Sequence, residues 1–498
     1  MAEATSSSFP IGSPPRRSIA KQRPDERSHS IASDASDTHE EVVSDITDPA
    51  LERRLRLKID LRLCTIAGLL CSLNLLDSGV ISSASVTSMI SDLSLTGNRY
   101  SISIFIFTIS SIAFQLPSTI AARTFGPRIW FAFITCMFGL LTMCTAFVRS
   151  WKEMIALRVL LGAAMSGIYP GLTYLISTWY LRREQQTRFA LLQTGEVIIL
   201  ATGGIVNFGL NKLNGSAGLA GWRWMFLVQG LISIIIGIIT YFWIIDFPEN
   251  AHKSLSFLTS SEQNLAITRI QHDRQDVHPT PFTWPTILRH AQDPKIYAFA
   301  IMFFLLNLVF TSLSYFLPII LQTGMGFSSD TAILLSAPPY YYAVLPVLLT
   351  SIVSDRYRLR GPVILFNSTC LIIGFSLLGF AHQVTLRYIG TFFATGAYIS
   401  NWAALSAYWS SNVAGQWKRA FTAAAVAAMN GAGGIAGSFI VREREAPGYR
   451  TAVWVSIGSH VMIMGIVVGF SLGFARANRR QREGKALLEG TEGFRYQY

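Results

Sequence analysis

The chain has 498 residues, of which 51% are apolar and only 14% charged, too few charges to clothe a water-soluble protein of this size. Its apolar residues gather in runs of about 20, the length a helix needs to cross roughly 30 Å of hydrocarbon, so it reads as an integral membrane protein. The formal charge of +12 would suit a nucleic-acid partner, but its distribution follows membrane topology, and no nucleic acid is expected.

Residues 1–60 are expected to be a cytoplasmic tail, the first 50 of them rich in Ser, Pro, Asp and Glu and disordered. The opening MAEATSSSFPIGSPPRRSIAKQRPDERS has no apolar core and does not read as a signal peptide. About twelve spans follow, near 62–83, 100–122, 129–149, 153–177, 189–210, 223–245, 296–317, 331–353, 363–381, 386–408, 420–440 and 451–474. A polar stretch of roughly 50 residues, from DFPENAHKSLSF to RHAQDPK, separates the sixth span from the seventh. The domain reading is a six-helix bundle over 61–245, a cytoplasmic linker over 246–295, a second six-helix bundle over 296–475 and a cytoplasmic tail over 476–498.

An even number of spans places both tails on one side, and basic residues collect there. They include Arg53, Arg54, Arg56, Lys58 and Arg62 before the first span, and Arg182, Arg183 and Arg188 after the fourth. Arg356, Arg358, Arg360, Lys418, Arg419 and the run RANRRQREGK add to them, giving about 31 basic residues on that side against about 9 on the other. That side is therefore assigned as cytoplasmic. The sequon NGS at Asn214 falls in an outer loop and is a candidate for glycosylation, whereas NST at Asn367 lies within a span, out of an enzyme's reach. The basic flanks suit a plasma membrane better than a vacuolar one.

The five cysteines, Cys64, Cys71, Cys136, Cys144 and Cys370, lie inside the spans and read as packing residues. The eight histidines show no metal-ligand spacing, and neither metal nor cofactor is expected. H-E-x-x-H and P-loop motifs are absent, which speaks against a zinc hydrolase and against a built-in ATP motor, and an enzyme is not expected.

The two halves echo each other at an offset of about 230 residues. STWYLRREQQTRFA after the fourth span is similar to SAYWSSNVAGQWKRAFTA after the tenth, with Trp179 and Trp409 in equivalent places. ATGGIV in the fifth span matches GAGGIA in the eleventh, and AARTFGPR after the second corresponds to SDRYRLRGP after the eighth. Twelve helices in two parallel repeats resemble the major facilitator superfamily, an all-α membrane fold of two pseudo-symmetric six-helix bundles.

Several motifs are more specific: SDLSLTGNRYS, RVLLGAAMSGIYPG, GWRWMFLVQG, FLPIILQTGMGFS, LLSAPPYYYAV, NWAALSAYWSSNVAGQWKRA and MNGAGGIAGSFI. These resemble the fungal allantoate permease family of anion:cation symporters, with SNVAGQWKRA the most specific, over residues 60 to 475 or so. The resemblance implies proton-linked movement of small organic acids, amides or vitamins by alternating access, by a monomer in the lipid bilayer. Two positions depart from the family pattern. Ser78 stands where the family follows its first-span Asp with Arg, and Met165 stands where it has a fourth-span Glu. Both the anion preference and the usual proton route are thereby put in question.

The charged residues inside spans are the candidates for function. Asp77, in LCSLNLLDSGVISSASV, costs about 2.5–3.5 kcal/mol at mid-span on insertion scales and needs an interior partner. Arg158 in LRVLLG is that partner by depth, either as a proton-sensitive pair or as a structural one. Glu196 in QTGEVIIL has no basic residue at its depth, and is either a site of proton exchange or a group facing water at the inner mouth. Ser78, Met165, Tyr169, Gln193, Asn307, Tyr341, Asn401 and Asn430 are candidates for the substrate cavity, although polar residues among helices often only bond a neighbouring helix. Pro338 and Pro339 are expected to bend the eighth span. Arg123, Arg128, Asp355, Arg356 and Arg360, in the turns after spans two and eight, are candidates for an inner gate, or simply mark topology. A secondary transporter is the leading reading, with an exporter of secondary metabolites or drugs and a non-transporting nutrient sensor as alternatives.

Overall fold

A computed structural model describes residues 49–180, 182–248, 258–275, 291–414, 416–484, 488–489 and 494–498. The tail expected to be disordered, through residue 48, lies outside the described residues. The chain divides into residues 1–54, described only from Pro49 where α1 (Pro49–Ile59) begins, and residues 55–498, which hold everything that follows.

The first six spans are α2 (Thr65–Ser85), α3 (Arg99–Phe125), α4 (Pro127–Thr145), α5 with α6 (Trp151–Met165 and Ile168–Trp179), α7 (Arg182–Asn211) and α8 (Gly221–Trp243). A connecting helix, α9 (Ser260–Gln275), comes next. The second six are α10 (Pro294–Ile319), α11 with α12 (Ser329–Leu335 and Ala337–Tyr357), α13 (Arg360–Phe380), α14 (Val384–Asn412), α15 (Gln416–Gly437) and α16 (Arg450–Arg482). Among the described residues, nine of the resulting helices are long and apolar enough to cross a membrane. The three others, α7, α14 and α15, lack an equally long apolar stretch among those residues.

Local sequence explains where helices start. Ser150 accepts a hydrogen bond from the Glu153 amide while the Glu153 carboxylate accepts one from the Arg149 amide, a reciprocal cap at the head of α5. Asp293 caps α10 by accepting from Lys295 N, with Pro294 in the first turn, where its missing N–H is harmless. At Gly126, φ is +86°, a conformation open to glycine, and α4 starts directly after it at Pro127. The break in the eighth span falls at Ser336, two residues before the proline pair; Pro338 and Pro339 sit in the first turn of α12 and start a helix rather than bend one.

Helices in each half approach so closely that side chains are excluded. A Cβ on Gly139 of α4 would lie 2.7 Å from Ile234 N of α8, and one on Gly230 would lie 2.6 Å from Gly139 O. In the second half, a Cβ on Gly390 of α14 would lie 2.6 Å from Gly374 O of α13. Such contacts gain dispersion energy where lipid offers no hydrophobic driving force between helices. The outward faces carry exposed apolar side chains such as Leu116, Phe133, Ile238, Leu345 and Leu349, the surface that lipid covers.

The two halves are joined at the end away from the basic loops. The Tyr100 hydroxyl donates to Tyr315 O at 2.9 Å, and Gln322 Nε2 donates to Val86 O at 3.1 Å. Asn211 and Lys212, at the end of α7, both bond the carboxylate of Asp330 at the head of α11. Asn214 is exposed in the neighbouring loop, its side-chain oxygen accepting from Gly221 N at 2.9 Å. Asn367 is buried within α13.

Two stretches differ from the sequence reading. The helix that holds the last span continues to Arg482, beyond the span's expected end near 474. The segment 488–498 is not simply a free tail, because its described residues pack on the second half. Asn478 and Asn412 each exchange paired hydrogen bonds with the backbone of Tyr496 and Gln497, and Tyr496 stacks on Phe474 at 4.3 Å. Glu489 there meets Lys295 and Lys418, at the heads of α10 and α15.

Candidate functional site

The structure brings Asp77 and Arg158 together. Arg158 Nη1 donates to Asp77 Oδ2 at 2.7 Å, and both side chains are essentially closed to solvent, at 1% and 0% exposure. The bond joins α2 to α5, with the Phe107 ring of α3 5.8 Å from the guanidinium. It is monodentate: Asp77 Oδ1, Arg158 Nε and Arg158 Nη2 are buried without hydrogen-bond partners among the described residues. Removing either charge would strand the other in a low dielectric, so each keeps its partner in place. Three unmet polar atoms also leave room for other pairings, unlike a bidentate fork.

Glu196 lies on α7 six residues deeper than Asp77 when measured along α2, because its neighbour there is Cys71; six residues of helix span about 9 Å. The Cys71 thiol lies beside the Glu196 carboxylate, and Tyr169 of α6 lies within electrostatic reach of both. Cys71 is therefore a polar neighbour of a charged group, which corrects its reading as a mere packing residue. Cys64 departs in the same way, its sulfur 3.4 Å from the Tyr180 hydroxyl. All five cysteines are free thiols.

Tyr169 is 57% exposed, while Glu196 and its helical neighbour Gln193 are partly buried. Asn74 of α2, three residues along the helix from Cys71, was missed in the sequence. It is exposed at mid-span, on the side of α2 roughly opposite the exposed Leu69. Being an amide in an apolar run, it carried the same signal as the candidate asparagines.

The other candidates divide. Tyr341 reaches across the halves to Thr202, hydroxyl to hydroxyl at 2.8 Å. Asn307 Nδ2 donates to Asn430 O at 2.7 Å, tying α10 to α15, and Asn430 Oδ1 has no partner among the described residues. Ser78 turns its hydroxyl back onto Leu75 O at 2.8 Å, and Met165 is buried. Asn401 is corrected: it is fully buried and donates to Ser368 Oγ of α13 at 3.1 Å, a helix-to-helix bond instead of a cavity group.

At the basic end, Arg123 lies 4.1 Å over the Tyr174 ring, and Arg128 donates to Tyr241 O at 2.9 Å. Arg360 pairs with Asp355 at 2.6 Å and donates to Ser354, while Arg356 is exposed. Each of these contacts lies within one half. Deeper on the same side, Arg188 of α7 pairs with Asp60 at 2.8 Å. Among the described residues, no cluster of His, Cys, Asp and Glu could hold a metal ion.

Comparison with known proteins agrees with this architecture. The profile of the Major Facilitator Superfamily matches residues 67–439. The MFS-type transporter cnsO of Penicillium expansum is 29% identical over 88% of this chain and 86% of its own length. The high-affinity nicotinic acid transporter of Saccharomyces cerevisiae is 27% identical over 93% of this chain and 86% of its own. In structure, the chain is similar to the xylose transporter XylE of E. coli in a partially occluded inward-open conformation, with a TM-score of 0.62 and 15% identity over 83% of this chain and 99% of that one. By its fold and its relatives, this chain belongs to the major facilitator superfamily and is a multi-pass membrane transporter, not an enzyme.

Proposed function

We propose that the protein carries a small organic metabolite by alternating access and couples that movement to protons through the Asp77–Arg158 pair, with Glu196 as a second carboxylate open to proton exchange. The observation that carries this reading is the buried pair itself, closed to solvent yet joined by a single hydrogen bond. A proton on Asp77 removes the charge that holds Arg158, freeing its guanidinium to bond elsewhere and changing which face of the carrier is favoured. The halves, 61–245 and 296–475, rock about the contacts at the Asp330 end, with 246–295 and both tails on the cytoplasmic side. Arg123, Arg128, Asp355, Arg356 and Arg360 serve the inner gate, whose side lies open when the Asp330 end is closed. Tyr169, Gln193, Asn307 and Tyr341 line the path, Asn214 faces outward for glycosylation, and a monomer in the plasma membrane suffices.

The motifs shared with allantoate permeases and the likeness to a nicotinic acid transporter support an organic acid, amide or vitamin-like substrate. The test is proton flux into proteoliposomes challenged with pooled carboxylates, amides and vitamins, for the wild type and Asp77→Asn. Flux in the wild type that is lost in the mutant is the expected result. No flux with any pool, together with ligand-induced thermal stabilisation, would favour a sensor or an uncoupled carrier.

A further inference from the structure

The helices that face one another across the two halves carry three charged side chains away from their ends: Asp77, Arg158 and Glu196. Between their ends, α10, α12, α14 and α15 contain neither Asp, Glu, Lys nor Arg, apart from Arg387 in the first turn of α14. Arg387 is held there by Leu378 O and Gly324 O. The single cation at depth, Arg158, is 1% exposed and already bonded to Asp77. Toward the basic end, Arg188 is occupied by Asp60. Among the described residues Glu196 is thus the uncompensated charge of the interior, and its polar neighbours Cys71 and Tyr169 are neutral. Asn74 lies one helical turn from Cys71, the spacing at which two side chains share a face.

We infer that this cluster, Glu196 with Asn74, Tyr169 and Cys71, is the binding site for a positively charged or strongly hydrogen-donating nitrogen group on the substrate. An organic cation or amide is therefore taken in preference to a carboxylate. An anion entering the same space would meet a like charge with no free guanidinium to offset it. A cation meets a carboxylate that lacks a counter-charge, and the exposed Tyr169 ring offers a face on which it can sit. Ser78, one residue from Asp77, supplies no charge, and its hydroxyl is spent on its own helix at Leu75 O. This assignment names the substrate class of the transport reading proposed above and rests on it.

Three pyridine compounds of one size and different charge test it: N-methylnicotinamide (cation), nicotinamide (neutral) and nicotinate (anion). Binding to the purified full chain is read as thermal stabilisation across a concentration series. The cation is expected to bind at least tenfold tighter than nicotinate. Glu196→Gln is expected to remove that preference, weakening the cation most and nicotinamide less. Asn74→Lys, at an exposed position that tolerates a long side chain, is expected to weaken the cation at least tenfold, about 1.4 kcal/mol, even if Glu196→Gln fails to fold. A flat response to all three compounds, nicotinate as the tightest ligand, or a preference unmoved by Asn74→Lys would overturn the assignment. Because binding is read without transport, cation preference in a protein that moves no protons would sink the coupling proposal alone.

Discussion

Asp77 on α2 and Asn307 on α10 lie 230 residues apart, the offset of the internal repeat, and so occupy matching places in the two halves. Their partners differ. Asp77 reaches sideways to Arg158 on α5 and builds a charged pair inside the first half. Asn307 donates to the Asn430 carbonyl on α15 and builds a neutral bond between two helices. Glu196 has its own counterpart at the same offset, and there the second half has Val426. The second half keeps its carboxylates at the rim instead, where Asp293 and Glu489 meet Lys295 and Lys418. Duplication preserved what helix packing needs, small residues and apolar faces. It placed no such requirement on charge, so deep ionisable groups were free to specialise in one half.

The strongest way to break the comparison is Arg158→Leu. It leaves Asp77 buried and unpaired, a change that costs about 3–5 kcal/mol in buried pairs, whereas Asp77→Asn with Arg158→Leu removes both charges and restores most of that stability. Thermal unfolding in detergent measures both, and a single mutant as stable as the wild type would show that the pair is not needed for the fold. A smaller effect is expected when the second half is given the first half's charge. Asn307→Asp puts a carboxylate at mid-span, with no cation on α10 or α15 at its depth, for a loss of about 2.5–3.5 kcal/mol. Asn307→Ala removes one interhelical bond, worth about 0.6 kcal/mol. If the two variants unfold together, charge is not what separates the halves.

The smallest effect belongs to the rim. Burial alone would raise the Glu489 carboxyl, but Lys295, Lys418 and the Tyr496 hydroxyl outweigh it and hold it below the usual carboxylate range. Asp293 is held low in the same way by Lys418 and Lys295. Both groups have folded values below their ordinary ones, so their contribution is complete above about pH 4.5 and is lost only as pH falls through the lowered values. Hydrogen exchange of residues 494–498 should therefore stay constant from pH 7 to pH 5 once corrected for intrinsic rate. It should rise several-fold at pH 7 in Glu489→Gln. Exchange that is unchanged in the variant would mean that Asn412, Asn478 and Phe474 hold the segment without the ion cluster.

The spans were legible in the sequence because hydrocarbon thickness fixes their length and an unpaired backbone polar group cannot remain in lipid. The pairing of Asp77 with Arg158 was legible too, since both are costly at mid-span and span direction placed them at one depth. Depth is all that such reasoning supplies. Whether Asn401 faces the path or a neighbouring helix depends on how α14 is rotated, and its bond to Ser368 settles that. Asn74 and Asn401 carry the same chemistry in similar apolar runs, yet one is exposed and the other fully buried.

The sequence by itself showed helices of membrane-spanning length, the duplication and the presence of three deep ionisable groups. Tertiary structure decided which face each helix turns inward and that Cys71 and Tyr169 surround Glu196. It also decided that Arg158 is already taken and that the segment around Tyr496 is docked. The physical reason is that transfer into lipid is a property of each helix alone. Helix rotation and partner choice are set by close contacts between helices far apart in the chain.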